Sequence, residues 1–320
     1  MTLHKSRAGS LQFWPRKRAA KLLPSVNWHA LEEGRTGLLG VICYKAGMAR
    51  VLVRDLTPES MTKGKQIIIP ATLLECPPMK IVSVRFYKNK RVATEILADL
   101  SDKLLKKKLK LPKPGRKKAS AMLSEIEPRL NEFDDIRILV YSMARLAGKK
   151  KSPDLAEIGI AGALSDKFSF VKEKIDKDIN FSDVFAQGVL IDARGLTKGY
   201  GLQGPLQRFG LHLRQHKSEK GLRRPGTLGP WTPSRVTFRV PMAGQLGFFT
   251  RETWNLKIMD IGSAEKISLV FPGYGKIKTN YAIIKGSVQG PAKRQLLLTA
   301  PLRPIKQIAK KNYELIEVLK

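Results

Sequence analysis

Gly37-Leu-Leu-Gly-Val-Ile-Cys-Tyr44, then Lys45-Ala-Gly47, then Met48-Ala-Arg-Val-Leu-Val-Arg-Asp55 is the stretch that decides the fold. Two apolar, β-branched runs flank three residues ending in glycine, which predicts two strands around a short turn. Working outward, Lys65-Gln-Ile-Ile-Ile-Pro70, Met79 to Tyr87 and Arg91 to Leu97 continue as strands. Strand-like runs return at Gly188–Asp192, Arg251–Ile261, Ile267–Phe271, Asn280–Val288 and Gln295–Thr299. Short strands separated by turn signals predict a barrel or sandwich, and one barrel formed from both blocks is the economical arrangement.

Between the blocks the pattern changes. Asp102 to Lys110 and Ala163 to Ile175 have helical periodicity, Ile136–Tyr141 and Ala156–Ala161 read as strands, and Lys113 to Lys118 reads as a basic loop. The organisation expected is a basic arm at 1–35, a first barrel part at 36–98 and a mixed α/β insertion at 99–187. A barrel strand at 188–193, a Gly/Pro-rich extension at 194–250, a last barrel part at 251–300 and a basic segment at 301–320 complete it.

The 320 residues carry 59 Lys/Arg against 27 Asp/Glu, a net charge of +32. The excess is uneven. Residues 91–193 hold 20 bases and 16 acids, so nearly all of it lies elsewhere. Residues 194–251 hold eleven Lys/Arg and one acid, Glu219, among glycines, prolines and single aromatics. Residues 1–30 hold six Lys/Arg and no acid, interleaved with Phe13, Trp14 and Trp28. Segments so cationic and so poor in apolar periodicity are not expected to build a core of their own; they need a polyanion, and nucleic acid is the obvious one. A membrane surface also attracts such charge, but no apolar run approaches the length of a spanning helix, and no apolar stretch follows the basic N-terminus as in a signal peptide. Cys43 and Cys76 match no metal or redox spacing and read as two buried thiols.

Gly199-Tyr-Gly201-Leu-Gln-Gly204 fits G-x-G-x-x-G, the dinucleotide fingerprint. Pro205 follows directly, and the acid at the right distance, Glu219, sits among Lys217, Lys220 and Arg223, so a flexible loop approached by phosphate is the better reading. His212 and His216 stand at i and i+4 without further ligands, and Leu206 to His216 reads as a short amphipathic helix presenting Arg208, Arg214 and His216. No G-x-S-x-G, P-loop or Cys-x-x-Cys occurs, and acids are scarce where the chain looks functional, so catalysis is unsupported. Trp231, between Pro230 and Thr232-Pro233, reads as a loop-tip aromatic able to stack on an unpaired base.

These residues also resemble a known family. His4-Lys-Ser-Arg-Ala-Gly-Ser-Leu-Gln-Phe-Trp-Pro-Arg-Lys-Arg18, Thr197 to Gly204, Gly221-Leu-Arg-Arg-Pro-Gly-Thr-Leu-Gly-Pro-Trp231 and Val240-Pro-Met-Ala-Gly-Gln-Leu-Gly247 occur in the order seen in ribosomal protein L three of the large subunit, archaeal/eukaryotic type. The resemblance covers nearly the whole chain. It implies a closed six-stranded-type β-barrel of the translation-protein kind, with two excursions threading ribosomal RNA toward the peptidyl-transferase centre. It implies early entry into large-subunit assembly, neighbours such as L fourteen and L twenty-four-e, a cytoplasmic ribosomal location, no cofactor and no metal. Glu219 stands where eukaryotic members carry a modified histidine, and the bacterial modified glutamine falls near Pro230–Trp231, so neither modification carries over. Pro241 replaces the lysine of the last signature.

The expected function is therefore structural binding of large-subunit ribosomal RNA, without catalysis, membrane or small-molecule substrate; the alternative is an RNA-modifying enzyme on a basic scaffold. Expected RNA contacts in the arm are Lys5, Arg7, Trp14, Arg16, Lys17, Arg18 and Lys21. In and beside the extension they are Arg194, Lys198, Tyr200, Arg208, Arg214, His216, Lys217, Lys220, Arg223, Arg224, Trp231, Arg235, Arg239, Gln245 and Arg251.

Overall fold

The computed structural model describes residues 8–32, 34–99, 102–110, 118–267 and 269–319. Lys5, Arg7 and the expected basic loop up to Lys117 lie outside the described residues. The strands, in chain order, are β1 (Gly37–Leu38), β2 (Gly40–Asp55), β3 (Gln66–Cys76), β4 (Met79–Lys88), β5 (Arg91–Leu97), β6 (Asp135–Ser142), β7 (Leu155–Ala161) and β8 (Leu190–Leu196). They continue with β9 (Gly199–Gln203), β10 (Gly244–Gly247), β11 (Thr250–Gly262), β12 (Val270–Phe271), β13 (Gly275–Lys276), β14 (Asn280–Lys285), β15 (Gln295–Thr299) and β16 (Tyr313–Leu319). The helices are α1 (Ala119–Ile126), α2 (Leu164–Lys174), α3 (Pro205–Phe209) and α4 (Lys306–Ala309). The chain is mainly β and divides into two compact units, Leu23–Gly195 with Glu252–Lys320, and Met1–Leu22 with Leu196–Arg251.

In the larger unit, β2 is one continuous strand rather than two around a turn. Its register shifts at Lys45–Gly47 and then resumes against β3. Gly47 is needed for closeness, not for turning: a Cβ there would stand 2.7 Å from the Phe271 ring. On its other edge β2 pairs first with β15 (Gly40 to Tyr44) and then with β16 (Arg50 to Asp55). Neighbours run β15-β8-β11-β14-β3-β2, and the β2–β15 pairing joins the ends of that series into a ring. The C-terminal segment expected to be only a basic tail thus supplies a strand, because Tyr313 and Leu315 pack on the second apolar cluster beside Val51 and Val53.

A five-stranded antiparallel sheet, ordered β1-β7-β6-β4-β5, forms the second layer. Met79–Lys88 and Arg91–Leu97, read from sequence as part of the first barrel block, belong here instead. Their periodicity was right, but pairing partners are chosen by which face is buried, and Val84 and Phe86 pack with Ile136 and Ile138. Trp28, grouped with the basic arm from sequence, is a core residue lying against Gly40 and Gly159. Cys43 and Cys76, distant in sequence, are brought to an Sγ–Sγ distance of 3.0 Å between β2 and β3, both free and fully buried. Burial, and then the Cys43 thiol, raise the pKa of Cys76.

Candidate nucleic-acid interface

The smaller unit is built from the arm and the extension together. β9 and β10 form a two-stranded antiparallel sheet with a bulge at Leu246/Gly247. Gly247 has φ of +71°, and a Cβ there would fall 1.9 Å from the Lys198 carbonyl oxygen, so only glycine fits the bulge. Glycine-rich Gly199–Gln203 is therefore a paired strand, not a flexible loop, and Gly204 leads into the next helix. α3 opens with Pro205 in its first turn, where a missing N–H costs nothing, and closes on Gly210 at φ of +64°. The amphipathic helix expected through His216 stops at that glycine.

Arg208 is a clamp. Its Nε donates to the Gln245 carbonyl (3.0 Å) and its Nη1 to the Met242 carbonyl (3.0 Å), holding β10 to α3. Burial lowers its pKa. The arm lies on the same unit. Ala8 N–H donates to the Phe209 carbonyl, and Ala19 N–H to that of Phe248. Arg16 donates to the Arg208 carbonyl (2.6 Å) with its guanidinium 4.2 Å from the centre of the buried Phe209 ring. Arg18 lies over Phe248 and Arg251 over Phe13, and the Trp14 and Phe238 rings are 5.6 Å apart. These segments, expected to lack a core, share a small one. With almost no carboxylate available, the guanidiniums sit on aromatic faces and carbonyl oxygens instead.

Several expected contacts are thus internal. Arg194 belongs to the larger unit, where it pairs with Glu252 (2.5 Å) and donates to Thr299 (3.2 Å). Gln245 turns its amide onto the carbonyls of Leu246 and Gly247. Arg16, Arg208 and Arg251 are half-buried, as is Trp14. Lys17, Arg18, Lys21, Lys198, Tyr200, Arg214, His216, Lys217, Lys220, Arg223, Arg224, Trp231, Arg235 and Arg239 are exposed.

From Leu211 to Ala243 the chain has no helix or strand. Apolar side chains stand in solvent along it, Leu213, Val236 and Phe238 among them, and Trp231 is 94% exposed. A shallow groove of about 320 Å³ lined by Leu228, Pro230, Pro233 and Arg235 runs beside Trp231. A long irregular stretch with exposed aromatic and cationic groups has the character of an interaction surface. Sequence reading missed the role of Phe209, Phe248 and Phe249; isolated phenylalanines in an otherwise polar, basic segment were the available signal.

Among the described residues one group, His29, Glu32 and Asp135, brings potential ligand atoms within 4.8 Å of one another. Its carboxylates are already neutralised: Lys167 Nζ lies 2.6 Å from Asp135 and 3.3 Å from Glu32, and Arg137 Nε 2.8 Å from Asp135. His212 and His216 join no such group. Among the described residues no helix is long and apolar enough to cross a membrane.

A β scaffold with a separate, acid-poor and partly irregular unit is the build of a basic structural protein with cationic extensions. The sequence profile of the family described as "Ribosomal protein L3" matches residues 1–318, and the chain belongs to that family. It is 37% identical to large ribosomal subunit protein uL3 of Methanocaldococcus jannaschii, with 97% of this chain and 95% of that one covered. It is 38% identical to uL3 of Methanobrevibacter smithii (94% and 93% covered) and 37% identical to uL3 of Methanothrix thermoacetophila (100% and 98% covered). The family is structural and not enzymatic.

Proposed function

We propose that the protein is a structural constituent of the large ribosomal subunit and binds large-subunit ribosomal RNA through its smaller unit. One observation carries the reading. Between Leu211 and Ala243 the cations have almost no acid to pair with, the backbone has no helix or strand, and apolar side chains led by Trp231 face solvent. Phosphates neutralise such cations, and unpaired bases cover such rings. Exposed Arg214, Lys217, Lys220, Arg223, Arg224, Arg235 and Arg239 are the phosphate contacts of this reading, with Lys17, Lys21 and Lys198 beside them. Trp231 is its stacking ring at the tip that reaches toward the peptidyl-transferase centre.

The ring of six strands in the larger unit serves as a closed barrel and rigid anchor. The protein enters the subunit early in assembly and works in the cytoplasm. Its neighbours are large-subunit proteins such as L fourteen and L twenty-four-e. Ordering the irregular stretch costs conformational entropy that phosphate neutralisation and counterion release offset.

Sedimentation of the tagged chain from lysate through a high-salt sucrose gradient tests this. Stoichiometric recovery with the large subunit is expected; recovery at the top of the gradient would overturn the reading. With about ten phosphates neutralised, binding to the RNA has a log–log salt slope steeper than about −7.

A further inference from the structure

The insertion in the larger unit is close to charge-balanced as a whole, but the balance is an average over two different surfaces. Residues 102–110 and 143–154 hold nine Lys/Arg and two acids. The rest of residues 91–193 holds eleven and fourteen, so it is net negative. Many charges of its described residues are paired, as in Arg129 with Glu132, Arg137 with Asp135 and Glu157, or Lys172 with Glu127.

The two segments meet at a groove of about 400 Å³, which Asp102 and Leu104 line from the first and Met143, Arg145, Leu146 and Lys151 from the second. That volume lies within the roughly 300–1,000 Å³ usual for ligand-sized pockets. One wall is the 3-10 turn Lys103–Lys107, capped by Asp102, whose carboxylate accepts from Leu104 N–H (2.9 Å). Leu105 is buried beneath it with Val82 and Tyr141, and Leu109 packs on the same cluster, so the turn is fastened to the sheet and Lys106, Lys107 and Lys108 project to solvent. The opposite wall is the turn from Met143, held by Met143 N–H to the Pro78 carbonyl and Leu146 N–H to the Met143 carbonyl. It presents exposed Arg145 and Lys151 on the groove.

The floor between them is apolar, with Leu104, Met143, Ala144 and a half-exposed Leu146. Both acids are already engaged. Asp102 caps its turn, and Asp154 is buried against Tyr44 (2.7 Å) and Lys150 (2.5 Å). Among the described residues Arg145, Lys151 and Lys106 to Lys108 have no carboxylate partner.

We propose that this groove is a second, separate RNA site. Phosphates of an irregular strand lie between Arg145, Lys151 and the Lys106–Lys108 ridge, with an unpaired base on the Leu104–Met143–Leu146 floor. This rests on the RNA-binding reading above. The groove repeats, on a fastened surface, the combination seen around Trp231: cations without acids beside exposed apolar side chains. That combination suits an unstacked nucleotide, whose base is apolar on its face and whose backbone is anionic.

The test titrates the full chain with transcripts of large-subunit ribosomal RNA at several salt concentrations. It compares the double variant Arg145→Gln, Lys151→Gln with the double variant Arg223→Gln, Arg224→Gln. All four side chains are exposed, so both variants are expected to fold as the parent does, which circular dichroism checks. Each lost phosphate contact on single-stranded RNA moves the log–log slope about 0.7 toward zero, so each double variant is expected to move it by about 1.4. A slope moved by the extension pair but not by the groove pair overturns the groove and leaves the RNA reading intact. Slopes moved by neither overturn both.

A second readout is acylation of lysines. Lys106, Lys107, Lys108 and Lys151 are expected to be protected in the RNA complex relative to the free chain. Equal labelling overturns the proposal. So does protection that appears only when other large-subunit proteins are added to the RNA, which would assign the groove to a protein partner.

Discussion

The two units differ in how their cations are held. In the larger one, the cations around Asp135 are met by carboxylates, Lys167 between Asp135 and Glu32 and Arg137 between Asp135 and Glu157, while the Arg145–Lys151 and Lys106–Lys108 cations stand apart from any among the described residues. In the smaller one, none of the ion pairs among the described residues occurs, and the ordered arginines lie on Phe209, Phe248 and Phe13 or on carbonyl oxygens. A charge neutralised by its own chain stabilises a fold. A charge neutralised only by ring faces keeps most of its attraction for an external anion.

The comparison breaks most readily at Lys167. Replacing it with methionine leaves the buried Asp135 and the half-buried Glu32 without their ammonium, and we expect a loss of about 3 kcal/mol. Urea unfolding with an unchanged m-value reads it. A loss below about 1 kcal/mol would mean that Arg137 alone satisfies Asp135 and that pairing in this unit matters less than its geometry implies.

Arg208→Ala probes the smaller unit. It removes two charged hydrogen bonds to the Gln245 and Met242 carbonyls, each class of bond contributing about 1.5–3 kcal/mol. Faster amide exchange at Gly244–Gly247 and faster proteolysis between Leu211 and Ala243 are expected, with the unfolding of the larger unit unmoved. Loss of the main unfolding transition would show that the clamp serves more than its own unit.

Asp55 sharpens the account of the larger unit at low pH. Burial opposes its ionisation, but hydrogen bonds from Thr57, Thr62 and Ser60 outweigh it and hold the carboxyl well below the usual carboxylate range. A lowered folded-state pKa contributes stability that is fully present above about pH 4 and is lost as pH falls through the folded value. Asp55→Asn is expected to flatten the acid limb of stability against pH. Parallel limbs for parent and variant would remove this assignment.

The smallest effect on stability is expected at Trp231, where alanine should change unfolding by no more than about 0.5 kcal/mol, because the ring touches solvent. The chemical footprint of the catalytic-centre RNA should nonetheless change. An unaltered footprint would deny the tip its stacking role.

Much of the β content was legible because strands announce themselves locally, through β-branched runs and turn residues. The runs at Ile136–Tyr141, Ala156–Ala161, Asn280–Val288 and Gln295–Thr299 were all located within a few residues. Partner choice was not legible. Met79–Lys88 looks like any strand, and only packing on Ile136 and Ile138 puts it in the second sheet. The candidate interface divides in the same way. The acid-poor stretch and Trp231 stand out by composition, whereas the conversion of Arg194, Arg208 and Gln245 into internal fasteners does not, because a polar side chain looks the same in sequence whether its partner is a phosphate or a group of its own chain.

By itself, then, the sequence determined the mainly β character, the concentration of half of the excess charge in residues 1–30 and 194–251, and the family. These follow from local periodicity, composition and ordered motifs. Only the tertiary structure decided that β2 runs unbroken past Gly47 to make room for Phe271, that Trp28 and the two thiols belong to the core, and that the arm and extension share one small unit. Each of those depends on which distant side chains compete for the same buried space, and no window along the chain contains that information.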